Sequence, residues 1–114
     1  LDGFTWYREP SRYEAVAIET DWACDVLPAG FRAVSTTTET SSRVGSETTH
    51  IVFCDGIANV SVFIESPNGD EREGWAMLGA SNSFSATVDE YQVTAVGEVP
   101  GVTVQRIASS MRRQ

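Results

Sequence analysis

The stretch HIVFCDGIANVSVFIES, from His50 to Ser66, constrains the fold more than any other part of this 114-residue chain. Two runs rich in β-branched and aromatic residues flank an Asp-Gly pair, the strongest short-range signal for a β-hairpin. A two-residue type I′ loop at Asp55-Gly56 predicts Cys54 opposite Ile57, Phe53 opposite Ala58, Ile51 opposite Val60 and Thr49 opposite Val62. One face then carries Phe53, Ile51, Ala58, Val60, Val62 and Ile64, an apolar slab fit for a core. The other carries Cys54, Val52, His50, Asn59, Ser61 and Phe63. A one-residue bulge would exchange the two faces. Cys54 falls on the mixed face, where another segment must cover it if it is to be bridged.

The rest of the chain extends this β pattern. Tyr13 to Glu19 favours a strand with Val16 and Ile18 on one face. Pro28 and Gly30 punctuate a turn between Trp22 to Leu27 and Phe31 to Thr37. Thr38 to Ser46 is rich in Ser and Thr and reads as an exposed loop or hairpin tip. After a hydrophilic turn at PNGDEREG, the runs WAMLGA and SFSATV suggest a second hairpin, and Tyr91 to Gly97 alternates again. Beyond Pro100, Val104, Ile107, Ala108 and Met111 recur at i, i+3, i+4 and i+7, one stripe of a terminal helix. Arg112-Arg113 would complement the dipole in its last turn. The fold class expected is α+β: an antiparallel sheet of about six strands with the Val104 to Met111 helix packed on it. Residues 1–12 read as a linker or edge segment and residues 13–114 as one domain, with no repeat.

A single domain of this length buries roughly 65% of the surface its unfolded chain exposes, so a core forms without help from a metal. The chain has 8 Arg, no Lys, 16 Asp plus Glu and a net charge of −8. That balance argues against nucleic acid, whose recognition needs clustered cations to displace counterions. No apolar run reaches the roughly 18 to 20 residues of a membrane helix, and no signal segment is visible. The chain starts at Leu1 and reads as a mature or excised fragment.

Chemistry is sparse. Cys24 and Cys54 match neither a C-x-x-C redox motif nor a zinc pattern, and only one histidine is present. A Cys24–Cys54 disulfide is the leading reading, with two buried unpaired thiols as its alternative. In the register above His50 faces Ser61, but no strained nucleophile turn or oxyanion hole accompanies the pair. A strand serine beside a strand histidine is the simpler reading, with hydrolysis as the rival. Asp70, Glu71 and Glu73 lack calcium-loop spacing and read as a solvated hairpin tip. Asn59-Val60-Ser61 satisfies the glycosylation sequon but sits mid-strand. Trp75 and Met77 alternate on one strand face, where core packing is the default and an exposed partner site the alternative. Nothing here supports catalysis, and no cofactor or metal site is expected.

Three blocks together carry a resemblance: WACDVLPAGF from Trp22, CDGIANVSVFIE from Cys54, and YQVTAVGEVPGVTVQRIASS from Tyr91. In this order and spacing they resemble the C-terminal domain of the MucB/RseB family, periplasmic negative regulators of the envelope-stress sigma factor. The likeness runs from about Trp22 to Met111, and the FTW at Phe4 resembles the preceding linker. It implies a non-catalytic domain in the periplasm that contacts the periplasmic segment of a transmembrane anti-sigma factor and helps shield it from proteolysis. It also implies a partner within the same protein, an N-terminal lipoprotein-carrier-like domain that senses lipid. The rival within this frame is a structural or dimerisation module with little anti-sigma affinity of its own, and homo-oligomerisation stays open.

Recognition through an exposed strand edge with apolar pockets would suit an extended segment. Arg32, Arg43, Phe63, Arg72, Trp75 and Arg106 are the candidate contacts. The family often has other residues at the two cysteine positions, so the pair looks particular to this chain. An oxidising compartment would favour the bridge, worth roughly 3 to 4 kcal/mol if unstrained.

Overall fold

The structure, a computed structural model, describes residues 20–40, 47–67, 69 and 71–114. Among these residues eight strands and one helix follow in chain order: β1 (Trp22–Cys24), β2 (Arg32–Thr40), β3 (Glu47–Cys54), β4 (Asn59–Glu65), β5 (Gly74–Leu78), β6 (Ser81–Val88), β7 (Tyr91–Gly97), α1 (Gly101–Ser109) and β8 (Met111–Arg113). Six of the strands form one antiparallel sheet in the order β2-β3-β4-β7-β6-β5. Two three-stranded meanders are thus joined along β4 and β7, which makes β2 and β5 the two edges among the described residues. The remaining strands, β1 and β8, pair with each other antiparallel. The expected α+β class is what the chain adopts. The strand expected over Tyr13 to Glu19 and the linker at 1–12 lie outside the described residues.

The β3–β4 hairpin keeps its predicted faces in a different register. Phe53 sits opposite Val60, Ile51 opposite Val62, and Cys54 opposite Asn59, two residues away from the expected pairing. The loop is longer than Asp55-Gly56 because the Asp55 carboxylate organises four residues. Its Oδ1 accepts from the Ile57 N–H at 2.9 Å and the Ala58 N–H at 2.8 Å, and the Asp55 N–H donates to the Ala58 carbonyl at 3.2 Å. A shift of two residues preserves the side-chain period, so Ile51, Phe53, Val60, Val62 and Ile64 are buried as expected. Two-residue hairpin turns occur elsewhere, at Gly79-Ala80 and at Asp89-Glu90 between Val88 and Tyr91, and in the latter both residues have positive φ. A type I′ turn demands that sign at both positions, and no glycine advertised it.

Helix α1 begins three residues before the predicted stripe and ends before Met111. Val104, Ile107 and Ala108 are its buried face, and it packs on β6 and β7. Met111 is buried as well, but as the first residue of β8, and Arg112-Arg113 are strand residues rather than the last helical turn. The physical cause is a competing partner: Trp22–Cys24 offers a ladder to the residues after Ser110. The Asp25 N–H donates to the Ser110 carbonyl at 2.9 Å, and the Gln114 N–H to that of Asp21 at 2.6 Å. Trp22 is buried in the β1–β8 pair and meets Tyr91 edge-to-face with 5.2 Å between ring centroids.

One row of residues crosses the whole sheet on its core face: Thr36, Ile51, Val62, Ala95, Phe84 and Trp75. The core is centred on this row and its neighbours Ile64, Val93, Phe53 and Val60, covered by α1 and the β1–β8 pair. Each of these aliphatic side chains contributes roughly 1.5–3 kcal/mol by leaving water. Gly97 is dictated by packing rather than by its backbone angles. A Cβ there would stand 2.6 Å from the Asn59 carbonyl oxygen on the adjoining strand.

Candidate interaction surface

Of the six large apolar side chains exposed among the described residues, Val26 and Ile57 stand in separate loops and the other four gather at one edge of the sheet. In β5, Trp75, Met77 and Leu78 are 55%, 72% and 62% exposed, and Val102 at the start of α1 is 59% exposed. Core packing, the default expectation for Trp75 and Met77, is therefore overturned. Both lie on the core face by strand parity, but β5 is the last strand, and α1 packs mainly on β6 and β7 and meets β5 at Gly101 against Trp75. Trp75 is held rather than loose. Its ring meets Phe84 edge-to-face at 4.9 Å between centroids, and a Cβ at Gly101 would come within 2.7 Å of its Cζ3. Glycine at the first position of α1 thus lets the indole approach the helix start.

The beginning of the strand is clamped to β7 and β6. The Arg72 N–H donates to Gln92 Oε1 at 2.6 Å, and Gln92 Nε2 returns a bond to the Arg72 carbonyl at 2.8 Å. Glu73 Oε2 accepts from the Thr87 N–H at 3.2 Å. At the other end, Asn82 Nδ2 donates to the Val99 carbonyl at 2.8 Å and ties the β5–β6 turn to the segment leading into α1. The backbone of the edge is consequently preformed, and the Trp75 ring is held against Phe84 and the start of α1.

The candidate contact residues divide between two regions. Arg72 lies two residues before β5 and Trp75 within it, and Arg106 is exposed on the helix whose first residue touches Trp75. Arg32 is exposed at the start of β2, across from Cys54, at the opposite edge. Phe63 is half-buried on the outer face of β4, where its ring stacks on His50 at 4.4 Å. Arg43 lies outside the described residues. The candidates left out Met77, Leu78 and Val102, whose importance comes from β5 being an edge. A run of apolar residues without alternation carries no mark of that position.

The chemistry weighed from the sequence is arranged otherwise. His50 faces Phe63, and Ser61 faces Val52, so the supposed His-Ser pair does not form. Glu71 caps the turn before β5 by accepting from the Gly69 N–H at 3.2 Å; Asp70 is outside the described residues. Among the described residues no three His, Cys, Asp or Glu side chains gather as a metal site, and no helix is long and apolar enough to cross a membrane.

The Cys24–Cys54 bridge is not formed, and both thiols are free. Their positions give the reason. Cys24 packs against the core and lines a cavity of about 180 Å³ together with Leu27, Ile51 and Phe53. Cys54, next to Phe53 in the same strand, points to the other side of the sheet, and its Sγ accepts from the Gly56 N–H at 3.2 Å. Burial pushes the Cys24 thiol pKa up, outweighing a backbone hydrogen bond with Val26 that lowers it, and the Asp25 charge adds to the rise.

This topology can be set beside known proteins. The family model described as MucB/RseB C-terminal domain matches residues 16–112. The chain belongs to the MucB/RseB C-terminal domain family. Among solved structures, that of MucB in complex with MucA(peri) is similar to it at 32% identity and a TM-score of 0.71, over 85% of this chain and 38% of that one. The complex structure of Pseudomonas aeruginosa MucA/MucB gives 29% identity and 0.71, over 85% and 36%, and a crystal structure of MucB gives 30% and 0.61, over 82% and 33%. The chain spans about a third of the length of these structures. No curated protein sequence matches it.

Proposed function

We propose that this domain binds the periplasmic region of a transmembrane anti-sigma factor and helps shield it from proteolysis. It acts as one part of a larger periplasmic regulator whose N-terminal domain is lipoprotein-carrier-like and senses lipid. The observation that carries this reading is the likeness, at 32% identity and a TM-score of 0.71, to a MucB structure captured in complex with MucA(peri). The preformed apolar edge at β5, with Arg72 beside it and Arg106 on the adjoining helix, supplies a surface suited to a flexible polypeptide. Phe63, Arg32 and Arg43 are secondary contacts in this proposal.

Calorimetric titration of the chain with the MucA periplasmic region tests the reading. Saturable binding is expected, together with slower cleavage of that region by a site-unspecific protease; no heat and no protection would sink it. The exposed edge also favours a second reading, in which the domain is a dimerisation module. Light scattering separates the two, since a module of that kind forms dimers without any partner present.

A further inference from the structure

Sheet edges left open in folded proteins are normally blunted by charge, proline or a bulge, because unpaired backbone groups recruit other strands. The edge strand β5 has none of these. Its five residues, Gly74–Leu78, are all uncharged, contain no proline, and pair with β6 in unbroken register. Three of its side chains are large, apolar and mostly exposed, and the residues leading into the strand are pinned by the Gln92 and Glu73 hydrogen bonds. A rigid open edge carrying apolar side chains costs little to order on binding and offers backbone donors and acceptors along one side.

We infer that β5 takes up an extended segment of the anti-sigma factor's periplasmic region as a seventh strand of the sheet. This rests on the binding role proposed above and names the surface and the mode. Backbone pairing fixes the segment, and alternate side chains decide which segment fits. Residues on its core-face side lie against Trp75 and Met77, so they are apolar, with Val102 extending the patch. The paired stretch is uncharged over about five residues, matching β5. Basic residues flank it, because the domain carries a net charge of −8.

The test titrates the MucA periplasmic region into three forms of the chain: unmodified, Met77→Lys, and Thr37→Lys on the opposite edge strand β2. Both substitutions fall on exposed side chains, and equal melting temperatures verify that the fold is kept. The expected result is at least about tenfold weaker binding for Met77→Lys and a change within about twofold for Thr37→Lys. Amide exchange of Trp75 to Leu78 slows by about tenfold or more in the complex. Failure of the unmodified chain to bind overturns the binding role and this inference together. Full binding by Met77→Lys with unchanged exchange in β5 overturns the inference alone. A dimer abolished by Met77→Lys, while the MucA region still binds, assigns the edge to a second copy of the chain and also overturns it.

Discussion

The two edges of the six-stranded sheet are built on opposite terms. The strand β2 is nine residues long, carries Arg32 and Glu39, and shifts register between Ala33 and Ser35. Its remaining residues are mostly Thr and Ser. The strand β5 is five residues long, apolar and unbroken. Charge and a bulge discourage pairing at β2, and nothing discourages it at β5. The cover differs too. The β1–β8 pair, with Cys24, Leu27 and Trp22, shelters the core-face residues of β2 and β3, whereas α1 shelters β6 and β7 and touches β5 at Trp75 through its first residue. Exposure at β5 is therefore a consequence of where the helix ends, and the two edges can be altered separately.

The largest effect is expected from removing that cover. Ile107 is fully buried beneath α1, and Ile107→Ala should cost about 2–5 kcal/mol in denaturant unfolding. Amide exchange should rise more in β6 and β7 than in β2 and β3, and equal loosening of both halves would erase the distinction. A smaller effect comes from exchanging the surface character of the edges. Met77→Lys should change stability by no more than about 0.5 kcal/mol while raising solubility, and the pair Thr37→Ile with Glu39→Ile should make β2 self-associate in sedimentation measurements. If neither change moves solubility or association, edge chemistry is not what separates the two strands.

The smallest effect concerns the loop that sets the β3 register. Two backbone N–H groups hold the Asp55 carboxyl below the usual carboxylate range, those of Ala58 and Ile57 in that order. A depressed folded-state pKa stabilises above the ordinary value near 4 and loses that contribution as pH falls through the folded value. Asp55→Ala should therefore lower the melting temperature slightly at pH 7, with the difference from the unmodified chain vanishing in acid. A difference independent of pH would exclude the carboxylate as its source.

Much of the fold was legible because it rests on local periodicity. The alternation from His50 to Ile64 gave the buried face correctly even with the register displaced by two, since period two is blind to that error. The stripe Val104, Ile107, Ala108 gave the helix face for a similar reason. Errors arose where a non-local partner decided the outcome. Met111 and the arginines after it continue the helical pattern, yet a strand ninety residues away captures them. The Asp-Gly pair signalled a tight turn, but a side-chain carboxylate recruited two more residues into the loop. Trp75 and Met77 have core composition, and only the strand order shows that they stand at an edge. The family was legible from three blocks of residues; which of its arginines and aromatics share a surface was not, because that depends on sheet order.

The placement of the two thiols has a further consequence. Cys24 lies on the core side of the sheet and Cys54 on the outer side, so the folded backbone separates them like a septum. An oxidant acting on the native protein cannot close a ring within one chain. Any disulfide it forms joins two molecules, and its rate should grow with the square of protein concentration. For this domain, oxidation is a question of assembly before it is one of stability.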